Sequence, residues 1–456
     1  MKASFSEFKK FIKGKKVAVV GIGVSNRPLV KMLVDLGGKV VACDKKTDIG
    51  DAADELKKIG VELNLGDNYL EGVVDCDVIF RTPSLRPDDP YLQRARDNGA
   101  YITSEMMEFI KYCPCKIFGV TGSDGKTTTT SLIYEMLKAD GKRAFLGGNI
   151  GNPLFNRIEE IKEDDYAVIE LSSFQLMECG FSPDVSVITN LSPNHLDIHK
   201  DMKEYIDSKK NIFLHQNENG LLVLNLDNKI TAGMLDEAKG KVRTFSLSKG
   251  IGYSHLEGNE LSVNGEKICN MKDIKLIGMH NVDNMLTAFA AVDGTVSIEA
   301  MRKVATTFTG VEHRIEFVRE INGVRFYNDS IGSSPTRTIA NLKAFNRKII
   351  LIAGGYDKKI PFNTLAKEGV DRVKVLVLMG NTKNKIRKAF EEEMKLRDHY
   401  LPIIEADNLE DAVYKAYKSS ENGDIITLSP ACASFDMFKN FEERGNKFKE
   451  IVMNIK

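Results

Sequence analysis

The chain has 456 residues, 42% hydrophobic and 28% charged, which suits an ordinary water-soluble globular protein of roughly three domains at about 150 residues each. Lys and Arg together number 64, as do Asp and Glu, so net charge points to neither a nucleic acid nor a membrane surface, and no apolar run approaches the length of a membrane span. The seven cysteines are scattered. The closest pair, Cys113-Pro114-Cys115, lacks the two-residue spacing of common zinc and redox motifs, so reduced core thiols are expected. The stretch from Lys2 to Lys16 is basic but has neither an apolar h-region nor a cleavage site, and a cytoplasmic protein is expected.

The first segment opens with Lys16-Val17-Ala18-Val19-Val20-Gly21-Ile22-Gly23, a strand running into Gly-x-Gly. A helix from Arg27 to Leu36 and a strand from Lys39 to Cys43 follow, which is a Rossmann-like start. The third glycine of a dinucleotide fingerprint would stand at 26, where this chain has Asn. Asp44 could take a ribose hydroxyl, and Lys45 and Lys46 suggest phosphate charge nearby. A diphosphate-containing nucleotide fits better than NAD; a ligand-free glycine turn is the plainer alternative. Cys76 to Arg81 reads as a strand, and Pro87 to Asn98 as a turn and short helix.

A change of domain is expected between Ser104 and Lys116, where a new strand begins. It leads into Val120-Thr121-Gly122-Ser123-Asp124-Gly125-Lys126-Thr127-Thr128, and a helix with apolar residues at helical spacing follows. Strand, glycine loop and helix form a cradle for a nucleotide polyphosphate: backbone N–H groups approach phosphate oxygens at the positive end of the helix. Lys126 can reach the outer phosphates, and the Thr127 hydroxyl can hold Mg²⁺. The usual spacing wants Gly at 120; here the glycines are 119, 122 and 125. By itself the loop says ATP or GTP.

Downstream, Gly147-Gly148-Asn149-Ile150-Gly151 is a second glycine-rich loop. Tyr166 to Ser173 reads as a strand carrying Glu170, either a holder of Mg²⁺ or its water, or a solvent-facing strand-end acid. The strand Val185 to Asn190 leads to His195, Asp197 and His199, just past its C-terminal end. No further ligands with zinc-like spacing accompany the two histidines; one His on a second Mg²⁺, or one orienting a carboxylate, fits better. Met202 to Phe213 is helical, and on pattern alone its Lys209 and Lys210 are a solvated pair. The region from Asp236 to Asp273 is polar, short-stranded and peripheral. His280-Asn281-Val282-Asp283-Asn284 opens an Ala-rich helix over 285–292 whose first amides could face a purine or ribose.

A second boundary is expected near Thr309-Gly310-Val311. Glu312-His313-Arg314 and a strand Val324 to Tyr327 ending in Asn328-Asp329-Ser330 start another α/β unit. Its expected strands are 348–353, 374–379 and 424–428, and its helices 335–345, 383–395, 409–419 and 438–453. Gly354 to Lys359 and Ser429 to Ser434 are loops at strand C-terminal ends, where ligands bind in open α/β sheets. Arg314 and Lys358 are candidate cations for a γ-phosphate, which domain closure must then bring to the site, or else ordinary surface side chains.

Taken in order, Gly119-x-x-Gly122-x-x-Gly125-Lys126-Thr127, Gly148-Asn149-Ile150-Gly151, Glu170-Leu171-Ser172-Ser173, Asn190-x-x-x-x-His195-x-Asp197, His280-Asn281-x-x-Asn284, Glu312-His313-Arg314 and Asn328-Asp329-Ser330 resemble the Mur ligases. The stretch Leu428 to Asp436 with Phe441-Glu442-x-Arg444-Gly445 is similar to the D-glutamate-adding branch of that family. The resemblance covers essentially the whole chain. It implies an α/β protein of three domains: a Rossmann-like domain over 1–104 for a UDP-linked substrate, a central P-loop ATPase-type parallel sheet over 105–310, and a Rossmann-like domain over 311–456 for the amino acid.

The resemblance also implies a reaction. ATP phosphorylates the carboxylate of UDP-N-acetylmuramoyl-L-alanine, and the amine of D-glutamate displaces phosphate from the acyl phosphate. Small-molecule substrates, two Mg²⁺ ions and a monomer are expected, without nucleic acid. By family position, Thr127 and Glu170 hold one Mg²⁺; His195 and a carbamylated Lys209 hold the other. Gly122, Ser123, Asp124, Gly125, Lys126, Thr127, Thr128, Asn281, Arg314 and Asp329 match ATP contacts, Arg314 at the γ-phosphate. Val24, Ser25, Asp44, Lys45 and Asn149 match the UDP-substrate site, and Lys358, Ser434 and Phe441 the D-glutamate site. Catalytic roles fall to Lys126, His195, Lys209, Arg314 and Lys358. Ile331 stands where many relatives carry Lys, and Ser333 where Thr is frequent. Two rivals are a different ligase of the superfamily, such as a folylpolyglutamate synthetase, and a dinucleotide-binding protein with a regulatory P-loop ATPase; the Ser429–Gly445 stretch argues against the first.

Overall fold

A computed structural model describes residues 3–23, 26–196, 198–248, 250–276, 278–358 and 360–455. The chain folds into two compact units, Met1–Ile274 with His280–Thr306, and Lys275–Met279 with Thr307–Lys456.

The first unit contains two sheets. β1 (Lys16–Val20), β2 (Lys39–Asp44), β3 (Glu62–Leu65), β4 (Val78–Phe80) and β5 (Tyr101–Thr103) lie parallel in the order β3-β2-β1-β4-β5. Strand order reverses between β1 and β4, so the loops after these two strands flank the crevice where a doubly wound sheet takes its ligand. They touch: a Cβ at Gly21 would lie 3.0 Å from the Thr82 side chain, and Gly21 has φ +82°, so glycine alone fits without strain.

The second sheet starts with β6 (Lys116–Thr121), β7 (Ala144–Gly148), β8 (Tyr166–Glu170), β9 (Val185–Ile188), β10 (Leu221–Asn225) and β11 (Lys241–Ser246). It continues through β12 (Ser254–Glu257), β13 (Glu260–Val263) and β14 (Glu266–Asn270). The order is β14-β13-β12-β11-β10-β9-β6-β8-β7. Only the last two pairings, β12–β13 and β13–β14, are antiparallel among those described, and they form the edge read from sequence as peripheral. β6 lies between β8 and β9, so its C-terminal end is a second switch point.

The basic N-terminus forms a helix that the sequence reading did not anticipate, Phe5–Ile12. Phe5, Phe8 and Ile12 recur at helical spacing on one face while Lys9 and Lys10 face elsewhere. Phe8 packs on Phe80 of the first sheet at 6.4 Å, and on Tyr112 at 5.3 Å and Phe155 at 4.9 Å beside the second. One apolar core thus runs across the expected 104/105 boundary. All seven cysteines are buried.

The second unit carries β15 (Glu316–Ile321), β16 (Val324–Asn328), β17 (Ile349–Ala353), β18 (Val373–Leu378), β19 (Ile403–Glu405) and β20 (Ile425–Leu428), in the order β15-β16-β20-β17-β18-β19. The β15–β16 hairpin is antiparallel and the remaining pairs parallel. The strands Ile349–Ala353 and Ile425–Leu428 are buried at every position, as their continuous apolar runs require for a sheet covered on both faces. Among the described residues, no helix is long and apolar enough to cross a membrane.

Candidate active site

The glycine loop leaves β6 at its switch point and enters the helix Lys126–Ala139. Its spacing now has a physical reason. Gly119 lies within β6, where a Cβ would stand 2.4 Å from Pro183, so that glycine serves sheet packing. At Gly122 a Cβ would meet Thr189 Oγ1 at 1.9 Å, and at Gly125 it would meet Asn284 Oδ1 at 2.2 Å, both with positive φ. These two glycines let the loop close against the segment after β9 and against the helix Met279–Val292. That helix contains His280 and Asn281 rather than starting after them. Asn284 Nδ2 donates to Asn281 Oδ1 at 3.0 Å, which joins Asn281 to the loop.

The loop is held by the segment after β9 and by the helix Met202–Leu214. Ser123 N donates to Asn190 O at 2.8 Å, Asp124 N to Asn190 Oδ1 at 3.0 Å, and Thr189 Oγ1 to Asp124 O at 2.6 Å. Ser123 Oγ lies 2.9 Å from Tyr205 OH. Lys126 folds back, its Nζ donating to Gly122 O at 3.0 Å and Ser123 O at 2.8 Å. Thr128 is half-buried in the first helical turn.

Glu170 ends β8 beside the loop, only 2% exposed, which rules out the solvent-facing reading. Its Oε2 accepts from Thr127 Oγ1 at 2.7 Å and its Oε1 from Asn149 Nδ2 at 2.7 Å. Asn149 N donates to Glu170 O at 2.8 Å, so the second glycine loop seats against the same carboxylate. A hydroxyl and a carboxylate at one point are hard oxygen donors, the set that suits Mg²⁺. Among the described residues, no group of three or more His, Cys, Asp or Glu side chains forms a metal cage.

Lys209 corrects the reading of a solvated pair. It is 2% exposed, and its Nζ donates to Thr121 Oγ1 at 3.1 Å and to Gly122 O at 2.8 Å. Burial first, and then the charge of Lys126, hold its pKa well below the ordinary lysine value against the pull of Glu170 and Asp124. Lys210 faces outward and pairs with Glu237 at 2.6 Å. The pattern held a usable signal: Tyr205, Lys209 and Ile212 are spaced i, i+4, i+7, so Lys209 occupies a core position of an amphipathic helix, Met202–Leu214.

His195 lies on the loop after β9, with φ +55° and its ring 5.2 Å from Phe174. His199, of the same motif, is buried, with Nε2 2.9 Å from Ser173 Oγ and Nδ1 3.5 Å from Glu204.

At the first sheet's crevice, Asp44 accepts from Ile22 N at 2.7 Å and from Lys46 N at 2.9 Å, which locks the glycine turn to the end of β2. Lys45 is exposed beside it. Asn26 Nδ2 donates to Val20 O at 3.1 Å and Gly21 O at 2.8 Å; this strand-end brace explains why an asparagine replaces the third glycine. Val24 and Ser25 lie outside the described residues, as does Asp197.

In the second unit, Asp329 follows β16 and is 4% exposed, its Oδ2 accepting from Ser429 Oγ at 2.6 Å and its Oδ1 from Ile315 N at 3.3 Å. Arg314, exposed at the preceding turn, is among the charges pulling its pKa down, yet burial prevails and raises it to about 7. Lys358 is exposed after β17 and donates to Ser333 O at 3.3 Å. Ser434 is buried and Phe441 begins the helix Phe441–Asn454. Arg444 joins these loops, a role that the motif alone did not disclose. Fully buried, it donates from Nε to Ser330 Oγ at 3.0 Å, from Nη2 to Ser330 O at 2.8 Å and from Nη1 to Cys432 O at 3.2 Å.

The raised Asp329 pKa gives a pH prediction. Between about 4 and 7 the folded chain keeps a proton that the unfolded chain loses, so this group's contribution to stability falls as pH rises through that window and levels off above it. The whole effect is about 4 kcal/mol at most. Asp329→Asn is expected to flatten the decline of melting temperature from pH 5 to pH 8; an unchanged slope would refute this.

The sequence matches two family profiles, "Mur ligase middle domain" over residues 120–292 and "Mur ligase, glutamate ligase domain" over 313–432. It is 60% identical over 458 residues to UDP-N-acetylmuramoylalanine--D-glutamate ligase of Clostridium novyi, covering 100% of both chains. It is 60% identical over 456 residues to the enzyme of that name from Clostridium kluyveri, covering 99% of each. Among solved structures, it resembles UDP-N-acetylmuramate-alanine ligase MurC of Thermotoga maritima, with TM-score 0.58, 20% identity, and 97% of this chain and 100% of that one covered. It also resembles a pseudomurein peptide ligase type C from Methanothermus fervidus, with TM-score 0.51, 19% identity, and 97% and 100% covered. At these identities the structural matches speak for fold alone.

Proposed function

The chain belongs to the Mur ligase family, and from that membership we propose that it is an ATP-dependent ligase joining D-glutamate to UDP-N-acetylmuramoyl-L-alanine in peptidoglycan precursor synthesis. The observation that carries the reading is full-length 60% identity to ligases of that name. The Lys126, Thr127, Glu170 and Lys209 constellation at the β6 switch point supports it.

In this reading residues 1–104 take the uridine nucleotide at the β1/β4 crevice, with Val24, Ser25, Asp44 and Lys45, and Asn149 contacts the same substrate. Residues 105–310 take ATP, and 311–456 take D-glutamate through Lys358, Ser434 and Phe441. The Gly122–Thr128 amides and Lys126 cradle the phosphates. Asn281 and Asp329 contact adenosine, and Arg314 the γ-phosphate. A carboxylate oxygen of the first substrate attacks the γ-phosphorus and ADP leaves. The D-glutamate nitrogen then attacks the acyl carbon, loses a proton, and phosphate leaves as the amide forms.

Thr127 and Glu170 would hold one Mg²⁺, and His195 with Lys209 a second. When bound, the ions would offset the negative charge of the phosphate oxygens. Lys209 acts as a carbamate: its neutral amine adds CO₂ and releases a proton, which turns a buried neutral group into an anion. Its suppressed pKa supports this by favouring the neutral amine.

Steady-state phosphate release by the full chain is expected to require ATP, Mg²⁺, UDP-N-acetylmuramoyl-L-alanine and D-glutamate together. Release undiminished when D-glutamate is omitted would overturn the proposal in favour of a regulatory ATPase. Lys358→Ala should raise the KM for D-glutamate by about 10-fold or more, as expected for the loss of a charge-assisted contact; an unchanged KM would remove Lys358 from that site.

A further inference from the structure

The segment after β4 leaves the first sheet, and its two arginines, Arg81 and Arg86, grip the loops of the second. Arg81 is 4% exposed; its Nη2 donates to Met177 O at 2.6 Å and Phe174 O at 3.3 Å, and its Nη1 to Leu85 O at 3.2 Å. Phe174 stacks on His199 at 5.1 Å and meets His195 edge-on. Arg86 reaches further. Its Nη2 donates to Glu204 Oε1 at 2.8 Å and its Nη1 to Glu204 Oε2 at 3.2 Å, a two-pronged fork. The same Nη1 donates to Ile198 O at 2.8 Å, and Asp88 braces the guanidinium from behind.

Glu204 is a junction. It lies in the first turn of the helix that carries Tyr205 and Lys209, it faces His199 Nδ1, and its oxygen accepts from Lys200 N at 2.8 Å. Tyr205 bonds the phosphate loop at Ser123, and Lys209 bonds it at Gly122. Ile198 lies three residues from His195. One guanidinium therefore holds both the loop that carries His195 and the first turn of the helix that carries Lys209. It sits six residues beyond β4, at the side of the first sheet's ligand crevice.

A fork has one acceptable geometry, unlike a point charge, so it fixes orientation as well as proximity. We propose that Arg86 is a positioning residue for phosphoryl transfer: its fork to Glu204 and its bond to Ile198 O set His195 and Lys209 against the phosphate loop and tie their placement to the first sheet. The proposal rests on the ligase reading above for the identity of the reaction.

The test compares Arg86→Ala, Arg86→Lys and a control, Lys203→Ala, which alters the exposed face of the same helix. Arg86→Ala is expected to lower kcat by about 10- to 100-fold, the scale of a small misplacement of reacting groups, while KM for D-glutamate stays within about twofold. The Mg²⁺ concentration giving half-maximal turnover should rise several-fold. Arg86→Lys should recover part of the loss, and Lys203→Ala should match the parent. Circular dichroism and the melting temperature report the folded fraction. A kcat within about twofold of the parent, or a loss matching the unfolded fraction, overturns the proposal. A second readout is independent of turnover: the Mg²⁺ midpoint for thermal stabilisation by a non-hydrolysable ATP analogue should shift in Arg86→Ala, and an unmoved midpoint overturns the proposal. If the parent chain shows no D-glutamate-dependent turnover, the ligase reading fails, and the analogue titration still decides the role of Arg86.

Discussion

Lys209→Ala is expected to abolish D-glutamate-dependent phosphate release, lowering kcat by at least about 10³-fold, the scale of losing a preorganised charge at a phosphoryl-transfer centre. A small carboxylate such as acetate or formate in the buffer should restore part of it by occupying the vacated anion position. The structural consequence is smaller than the catalytic one. Lys209 Nζ donates to Thr121 Oγ1 and Gly122 O, so truncation leaves two buried acceptors short of a donor, at about 1–3 kcal/mol. It also removes the burial cost of an amine whose charged form both desolvation and Lys126 disfavour, which offsets part of that loss. A melting temperature within a few degrees of the parent, with activity gone, separates chemistry from folding. Full activity in the alanine variant, or no effect of CO₂ depletion on the parent, would refute the carbamate.

Glu170→Gln is the second large effect. Gln keeps an oxygen for the Thr127 hydroxyl, but its amide then meets Asn149 Nδ2, donor against donor, where a 2.7 Å hydrogen bond now stands. It also removes the negative charge expected to hold Mg²⁺ or its water. Turnover should fall by about 10²- to 10³-fold, and the Mg²⁺ requirement should rise. Titrating Mg²⁺ at saturating ATP distinguishes the causes. If excess Mg²⁺ restores the parent rate, Glu170 acts mainly through ion affinity; an unshifted Mg²⁺ midpoint would remove it from the metal site.

Much of the site was legible because it is local in sequence. Gly122 to Thr128 follow a strand and open a helix, and a short apolar run and a period-3.6 pattern place the two. The strands Tyr166–Glu170 and Val185–Ile188 were visible as β-branched apolar runs, and the carboxylate or loop at their C-terminal ends follows from α/β topology. Boundaries erred where side chains compete with the ladder. The run read as a strand to Ser173 stops at Glu170 because Ser172 and Gln175 form a capping box for the short helix Ser173–Leu176. The helix Phe5–Ile12 leaves little signal in the sequence because its length is marginal for an isolated helix; packing against Phe80, Tyr112 and Phe155 stabilises it.

The sequence by itself determined the α/β class, the phosphate loop, the acid at the end of β8 and, through ordered motifs, the family. Only the tertiary structure decided which polar groups are removed from water and which distant partners they meet. Lys209 lies 88 residues from Thr121, Arg86 lies 118 from Glu204, and Arg444 lies 114 from Ser330. A charged side chain reads as solvated until the fold buries it. Once buried it must find partners, and those come from whichever strands and loops the sheet order brings alongside.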